Sequence, residues 1–429
     1  MLWSQVYALR SYFRLSLWIV PFISLLLYIA VIRLVYVIDR ETAWQPPGGA
    51  WGVSGTQSIL ETIITLMLTF IVFTFGSLLV AIQVAGGQLT PRIIATTLLR
   101  DNVIRFTVGL FTFTLLFATG VLARLETKVP PGIGFIAGLL GFCSIAAFLH
   151  LIDYAARLLR PVSIIWRVGE QGRAVIESVY PKLYADVGVA TAPRPKLAAP
   201  DRILHHRGKS AIVVAVNPGA LVAEAQKANA IIVLVPRVGD FVASGEVVLR
   251  LYGNCGSIDD RRLRGSVAFG PERTIEQDST FAFRIIVDIA IKALSKAIND
   301  PTTAVLAIDQ LQHLLGVVGE RHLRNETLSD ASGQPRVMFH TPTWEDFVQV
   351  TFSEIRLYGA GNFQIARRLR AMIQTLAERL PEDRRPALQA QLELLDRTIE
   401  RLHALPEDLA LARVPDLQGL GGSSGLSAT

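Results

Sequence analysis

ILETIITLMLTFIVFTFGSLLVAIQV, residues 59–84, holds a single ionisable side chain, Glu61, in a run that is otherwise apolar, hydroxylated or small. At 1.5 Å per residue, a helix of this length exceeds the ~30 Å hydrocarbon core of a bilayer, so the segment predicts a membrane span. Ser58, Glu61, Thr62, Thr65, Thr69, Gly76 and Gln83 recur at close to one helical turn and share a face. That face reads in two ways. Small and hydroxyl residues let helices pack closely and share hydrogen bonds. In an oligomer, the same stripe lines a water-filled path with Glu61 at its outer mouth attracting cations.

Three further spans are expected at about residues 15–38, 104–123 and 132–152. Arg10 and Arg14 precede the first, but no small-residue cleavage site follows it, so it reads as an uncleaved span rather than a signal peptide. Four spans put both termini on one side. Arg10, Arg14, Arg92, Arg100, Arg105, Arg157, Arg160 and Arg167 flank one face of the bilayer and Arg33, Arg40, Arg124 and Lys128 the other, which predicts both termini inside a bacterial inner membrane. Trp44, Pro46, Pro47, Gly48, Gly49 and Trp51 then form a short outer loop at headgroup level.

Charge distribution agrees with this division. Up to Asp153 the chain has nine Lys and Arg and six Asp and Glu, against 33 and 30 beyond it. Neither part has a long basic run, so the excess positive charge suits a membrane-facing surface and gives no reason to invoke nucleic acid. Cys143 and Cys255 stand far apart with no metal-ligand spacing, which excludes a disulfide framework.

The expected organisation is a transmembrane domain over 1–154, a helical connector and Pro/Ala linker over 155–200, a small α+β unit over 201–256, a helical cytoplasmic region over 257–410 and a disordered tail over 411–429. In the α+β unit, Ala211 to Val216 and Ile231 to Val235 are β-branched runs around a helix begun by Asn217 and Pro218. GDFVASGEVVLRLYG, residues 239–253, is punctuated as a hairpin and is similar to that of small barrel-sandwich domains; no lysine occupies its turn, so no carried prosthetic group and no cofactor is implied. Further on, Asp300 and Pro301 mark a helix stop and restart, and Gly359 and Gly361 a break between later helices.

Phosphate loops, dinucleotide fingerprints, zinc-metalloprotease helices and nucleophile elbows are absent, which weighs against a familiar enzyme. His205 and His206 adjoin but face different ways, and read as loop residues.

Four strings carry a resemblance: FGPERTIEQDSTFAFRIIVDIAIKALSKAINDPTTAVLAIDQL over 269–311, QLTPRI over 88–93, GDFV over 239–242 and YGAGN over 358–362. Together they resemble the bacterial membrane-protein family catalogued as domain of unknown function 2254, from the first span to about Leu405. Lys296 is a departure, standing where the family's turn is expected to have proline. The resemblance implies a four-span anchor with a cytosolic domain, and emphasis on Arg273, Thr274, Gln277, Asp278, Asp288, Asn299, Asp300 and Thr302. Helix capping and ion pairing account for these residues structurally. A helix N-terminus beside Arg273 also suits an anion, and the carboxylates a divalent cation or small ligand.

Two functions follow as expectations. One is a homo-oligomeric channel or transporter for small ions, regulated by its cytoplasmic domain. The other is a membrane-anchored scaffold or sensor whose cytoplasmic domain binds a ligand or protein partner. No nucleophile–base pair or metal triad lies within the spans to suggest catalysis.

Overall fold

The computed structural model describes residues 3–16, 18–42, 53–88, 101–123, 131–158, 160–186, 197–323 and 327–422. The expected outer loop, the QLTPRI turn beyond Gln88, Arg124 and Lys128, the linker as far as residue 196 and the tail beyond Gly422 lie outside them. The chain forms two compact units, one of residues 12–87 and 91–163, the other of residues 1–11, 88–90 and 164–429.

In the first unit, helices α2 (Ile19–Thr42), α3 (Val53–Gln88), α4 (Asn102–Leu122) and α5 (Pro131–Leu158) follow one another. The last three are long and apolar enough to cross a membrane; α2 has only a shorter apolar stretch, Ile19–Leu34. Arg33 is what interrupts its uncharged run. Asp101 starts α4, accepting from the Val103 and Ile104 amides, and Tyr154 of α5 donates to its second oxygen at 2.5 Å. Close approach between α2 and α4 depends on small residues. A Cβ on Gly109 would fall 2.6 Å from Val20, and one on Gly120 would fall 1.9 Å from the Tyr28 hydroxyl. Thr114 and Ser144 share a buried hydrogen bond of 3.1 Å between α4 and α5.

Helix α3 has 36 residues, starting earlier than residue 59 and continuing through Gly86 and Gly87. Glycine lowers helix propensity by about 1 kcal/mol without forcing a break. Thr56, Leu60, Ile63, Met67, Phe70, Thr74, Leu78 and Ala81 form its buried stripe, and Phe70 stacks on Phe148 of α5 at 3.9 Å between centroids.

The second unit begins with the first turns of helix α1 (Trp3–Leu15). Trp3 and Tyr7 pack on Val214, Ala215 and Ala268, the Ser4 amide donates to the Gly265 carbonyl at 2.9 Å, and Tyr7 donates to Glu276 at 2.5 Å. Helix α6 (Pro161–Val179) follows, with proline at its start where the missing N–H is harmless.

Strands β1 (Arg202–His205), β2 (Ala211–Val216), β3 (Ala230–Leu234), β4 (Phe241–Val242), β5 (Val247–Gly253), β6 (Val267–Gly270), β7 (Thr327–Ser329) and β8 (Pro335–Met338) build two sheets, ordered β1-β5-β3-β8-β7 and β4-β2-β6. Asn217 caps α7 (Pro218–Lys227) between β2 and β3 as the sequence indicates. The expected hairpin differs. β4 pairs with β2, whereas β5 pairs with β1 and β3, so the Gly245 turn passes the chain from one sheet to the other. Nor does the α+β unit end at 256, because β6 completes the small sheet and β8 runs parallel to β3. One apolar core, including Val213, Leu221, Ile232, Val242, Leu251 and Val337, joins both sheets to α7.

A short helix α8 (Asp260–Arg264) precedes β6, and the rest is helical: α9 (Ser279–Ala293), α10 (Pro301–Gly319), α11 (Trp344–Gly359), α12 (Phe363–Arg379), α13 (Arg385–Leu402) and α14 (Pro406–Ala412). The tail expected to be disordered from 411 is ordered through Gly422. Buried Asp416 accepts from the Gln418, Gly419 and Gly421 amides, and Arg367 donates to the Val414 and Gly421 carbonyls. Local self-capping and one buried guanidinium replace the hydrophobic anchors this glycine-rich segment lacks.

Candidate functional site

The polar face of α3 is the first of two candidate regions. Ser58, Glu61, Thr62, Thr65, Thr69, Gly76 and Gln83 are all exposed. With about 100° of rotation per residue, they lie roughly half a turn around the helix from the buried stripe. Thr62, Thr65 and Thr69 donate to the carbonyls of Ser58, Glu61 and Thr65 at 2.8, 2.9 and 2.8 Å, which satisfies each hydroxyl proton inside its own helix. Gln57 donates to Glu61 at 3.0 Å. The hydroxyl oxygens and the Glu61 carboxylate still face outward.

The second region is the start of α9. Asp278 is the N-cap: its Oδ1 accepts from the Thr280 and Phe281 amides at 3.1 Å each and from the Thr280 hydroxyl at 2.7 Å. Its Oδ2 is buried without a hydrogen-bond partner, 3.9 Å from Arg273 Nε. Desolvation raises the Asp278 pKa, opposed by the Thr280 hydroxyl and the Arg273 charge. Gly239 has φ +94°, and a Cβ there would fall 2.3 Å from Oδ2, so only glycine fits this turn. The Gly239 carbonyl in turn accepts from Arg273 Nε at 2.7 Å. Gln277 Oε1 accepts from the Val216 amide at 2.9 Å, tying the start of α9 to the small sheet. The Thr274 hydroxyl is buried nearby without a partner.

Arg273, Thr274, Gln277 and Asp278 therefore come together, but the other residues singled out do not join them. Asp288 pairs with Arg284, which also grips Glu354 of α11, so it belongs to helix packing. Asn299 adopts φ +50° in the turn beyond α9, and Asp300 caps α10 through the Thr303 amide at 3.0 Å and the Thr303 hydroxyl at 2.5 Å. Thr302 is exposed, and it is its neighbour Thr303 that bonds the Asp300 cap. The 15 residues of α9 span about 22 Å, separating the Asp278 and Asp300 ends.

His205 and His206 each bond a backbone carbonyl, of Gly245 and Lys209 respectively. Among the described residues, no group of three or more His, Cys, Asp or Glu side chains is placed to hold a metal.

Sequence reasoning missed Tyr180, which is fully buried beside this region, and Arg237, which pairs with Asp346 at 3.3 Å. Each sits next to a proline and neither belongs to a motif; only the fold brings them to α9. Burial pushes the Tyr180 phenol up to about 12.

Among proteins of known sequence, an uncharacterized protein of Mycobacterium tuberculosis (strain H37Rv) is 28% identical over 427 residues, covering 94% of this chain and 80% of its own length. An uncharacterized protein of Mycobacterium bovis shows the same identity and coverage. No solved structure matches the chain. The family profile described as predicted membrane protein, domain of unknown function 2254, matches residues 14–375. The long apolar helices, the GPERT and NDPTTA segments and that match together make this chain a member of the domain of unknown function 2254 family of predicted membrane proteins.

Proposed function

We propose that the chain is a homo-oligomeric inner-membrane protein whose α3 helices meet through their polar faces and line a path for small ions, regulated by the cytoplasmic unit. The observation that carries this reading is direction: Ser58, Glu61, Thr62, Thr65 and Thr69 point away from the buried face of α3. An acid and a row of hydroxyls turned toward lipid are costly, and a partner helix or a column of water removes the cost. At about 54 Å, α3 outreaches the ~30 Å hydrocarbon core, so its first turns, with Gln57 and Glu61, suit the mouth of such a path.

A four-span topology with both termini inside is supported by α1. Ser4 and Tyr7 are bonded within the same compact unit as residues 164–429, which supports an even number of crossings between the two. With α2 as a fourth crossing beside the three long helices the count is even, and the excess of flanking arginines supports a cytoplasmic side for both termini.

The test is homotypic cross-linking joined to flux. With Cys143 and Cys255 replaced, Thr65→Cys in native membranes is expected to give disulfide-linked dimers, and Phe75→Cys, off the stripe, is not. Protein reconstituted in liposomes is expected to pass cations above the empty-liposome background. No T65C cross-link and no flux under varied voltage, pH and divalent ions would return the chain to the anchor or sensor reading, which the ligand-sized cavity beside α9 favours.

A further inference from the structure

Residues of α1, of α8 and of the chain just beyond β1 enclose a groove of two adjoining cavities, about 350 and 430 Å³, both lined by Ser4, Gln5, Arg207 and Arg264. One side of the groove is apolar, with Ala8, Val248, Val267 and Phe269 in its wall. The other side is charged. Arg207 and Arg261 are exposed there, and among the described residues neither side chain has an ion-pair partner. The Arg264 side chain is 28% exposed; it donates to the His205 carbonyl, and its nearest acid, Asp260, is 3.9 Å away. Both acids of the lining are already engaged. Asp259 caps α8 through the Arg261 amide at 2.8 Å, and Asp260 pairs with Arg202. With Arg202 included, four guanidiniums stand against two carboxylates, an excess of two positive charges.

Clustered guanidiniums repel one another until an anion sits among them. Burial, and then the charges of Arg207 and Arg202, push the Arg264 pKa down, the mark of a cation short of compensation. Guanidinium forks match the oxygens of a phosphate. A free phosphate gains nothing from the apolar wall, whereas the glycerol and first acyl carbons of a lipid do. A bilayer is also within reach: Ala8 precedes the start of α2 at Ile19 by eleven residues, at most about 40 Å of chain. Val6 and Leu9, 47% and 46% exposed, stand beside exposed Arg10 on α1, the composition of a helix lying on a lipid surface. We propose that this groove binds the phosphate headgroup of an anionic phospholipid, with Arg207, Arg261 and Arg264 on the phosphate and the glycerol and acyl carbons against Ala8 and Phe269. The site stands apart from the α3 reading, so a protein that conducts nothing can still hold lipid here.

Full-length protein in an uncharged detergent, titrated with phosphatidylglycerol and read by native mass spectrometry, tests the assignment. One tightly held lipid per chain is expected, and phosphatidylcholine, whose own cation offsets its phosphate, is expected to bind about tenfold more weakly. Arg207→Gln, which removes an exposed charge, is expected to weaken the tight site about tenfold, the scale of one charge-assisted hydrogen bond. Ala8→Trp, at an exposed position on the groove wall, is expected to abolish it by filling the space. Arg397→Gln removes the same charge from exposed α13, outside the groove, and is expected to change nothing. A near-native melting profile for each variant separates loss of binding from loss of fold. Tight binding unchanged by Arg207→Gln and Ala8→Trp overturns the proposal, as do equal weakening by Arg397→Gln and equal affinity for phosphatidylcholine. Glycerol 3-phosphate is the soluble arm: binding much weaker than that of the lipid supports the proposal, and binding as tight overturns the lipid source in favour of a soluble phosphate ester.

Discussion

Helices α3 and α12 both carry several polar side chains and dispose of them in opposite directions. On α12, Arg367, Arg368 and Arg370 are buried, and each finds acceptors from its own chain. Arg368 donates to Asp309 at 2.7 Å and to Gln312 at 2.6 Å, Arg370 pairs with Asp396, and Arg367 reaches the Val414 and Gly421 carbonyls at 3.0 and 3.1 Å. On α3, among the described residues, the Thr62, Thr65 and Thr69 hydroxyls bond carbonyls of their own helix and Glu61 meets Gln57. A buried charge that is satisfied within the fold contributes to that fold's integrity. An outward-facing polar stripe on a membrane helix contributes nothing comparable to the described residues of the subunit, and on the proposed reading its partner is another chain or water. The comparison therefore predicts that polar substitutions on α12 cost stability, while those on α3 cost assembly and conduction.

The largest effect is expected from Arg367→Ala. The residue is 1% exposed, and its loss leaves a void and removes the donor to the Val414 and Gly421 carbonyls, a cost of about 3 kcal/mol. The tail should also come free, so limited trypsin cleavage at Arg413 is expected to accelerate well beyond wild type. Unchanged cleavage and stability would show that α12 burial is as dispensable to the subunit as the α3 stripe, and the contrast would collapse.

Alkaline titration sharpens the same contrast. The Tyr180 phenol is held neutral to about 12 in the folded chain, while an exposed tyrosine ionises near 10. Below pH 10 the phenol is protonated in both states and contributes no pH dependence. Between 10 and 12 only the unfolded state ionises, so stability is expected to fall as pH rises through that window, by an amount on the order of 2–3 kcal/mol. The difference from Tyr180→Phe, measured by denaturant unfolding at several pH values, isolates this residue from the lysines titrating alongside it. A difference that stays flat from pH 9 to 12 would mean the phenol reaches water.

Asp300→Ala comes next. Removing the cap of α10 deprives the Thr303 amide and hydroxyl of their acceptor and is expected to cost about 1 kcal/mol, a fall in apparent melting midpoint of ~2 °C.

These sites show what could be read from the residues alone. Caps at Asn217 and Asp300 were legible because a cap and the proline after it act within four residues. The apolar runs of α3, α4 and α5 were legible for the same local reason. Nothing local tells β4 and β5 to join different sheets: GDFVASGEVVLRLYG encodes where the chain turns, not which strand each side will meet. The parallel pairing of β8 with β3 lies about a hundred residues apart in sequence and follows from shared burial of Ile232 and Val337. Likewise, Asp278 and Asp300 look like one cluster in the GPERT-to-NDPTTA string, and the helix between them holds them apart.

Glu61→Gln should have the smallest effect on the subunit and is the sharpest test of what α3 is for. The carboxylate is exposed and, among the described residues, accepts one hydrogen bond, from Gln57, that a glutamine carbonyl can equally accept. Its replacement is therefore expected to change subunit stability by less than ~0.5 kcal/mol, the range of surface substitutions without special partners. If α3 stripes surround a water-filled path, the same change removes one negative charge per subunit from its mouth. Cation-over-anion preference in liposomes should then fall, while total flux and the Thr65→Cys cross-link persist, because the pore wall is intact. If the stripes instead pack dry against one another, the acid has to be protonated or paired to be buried, and the amide, needing neither, should strengthen cross-linking with no flux in either protein. The two outcomes move association in different directions while leaving the fold alone, so this single-atom exchange separates a conducting path from an association face.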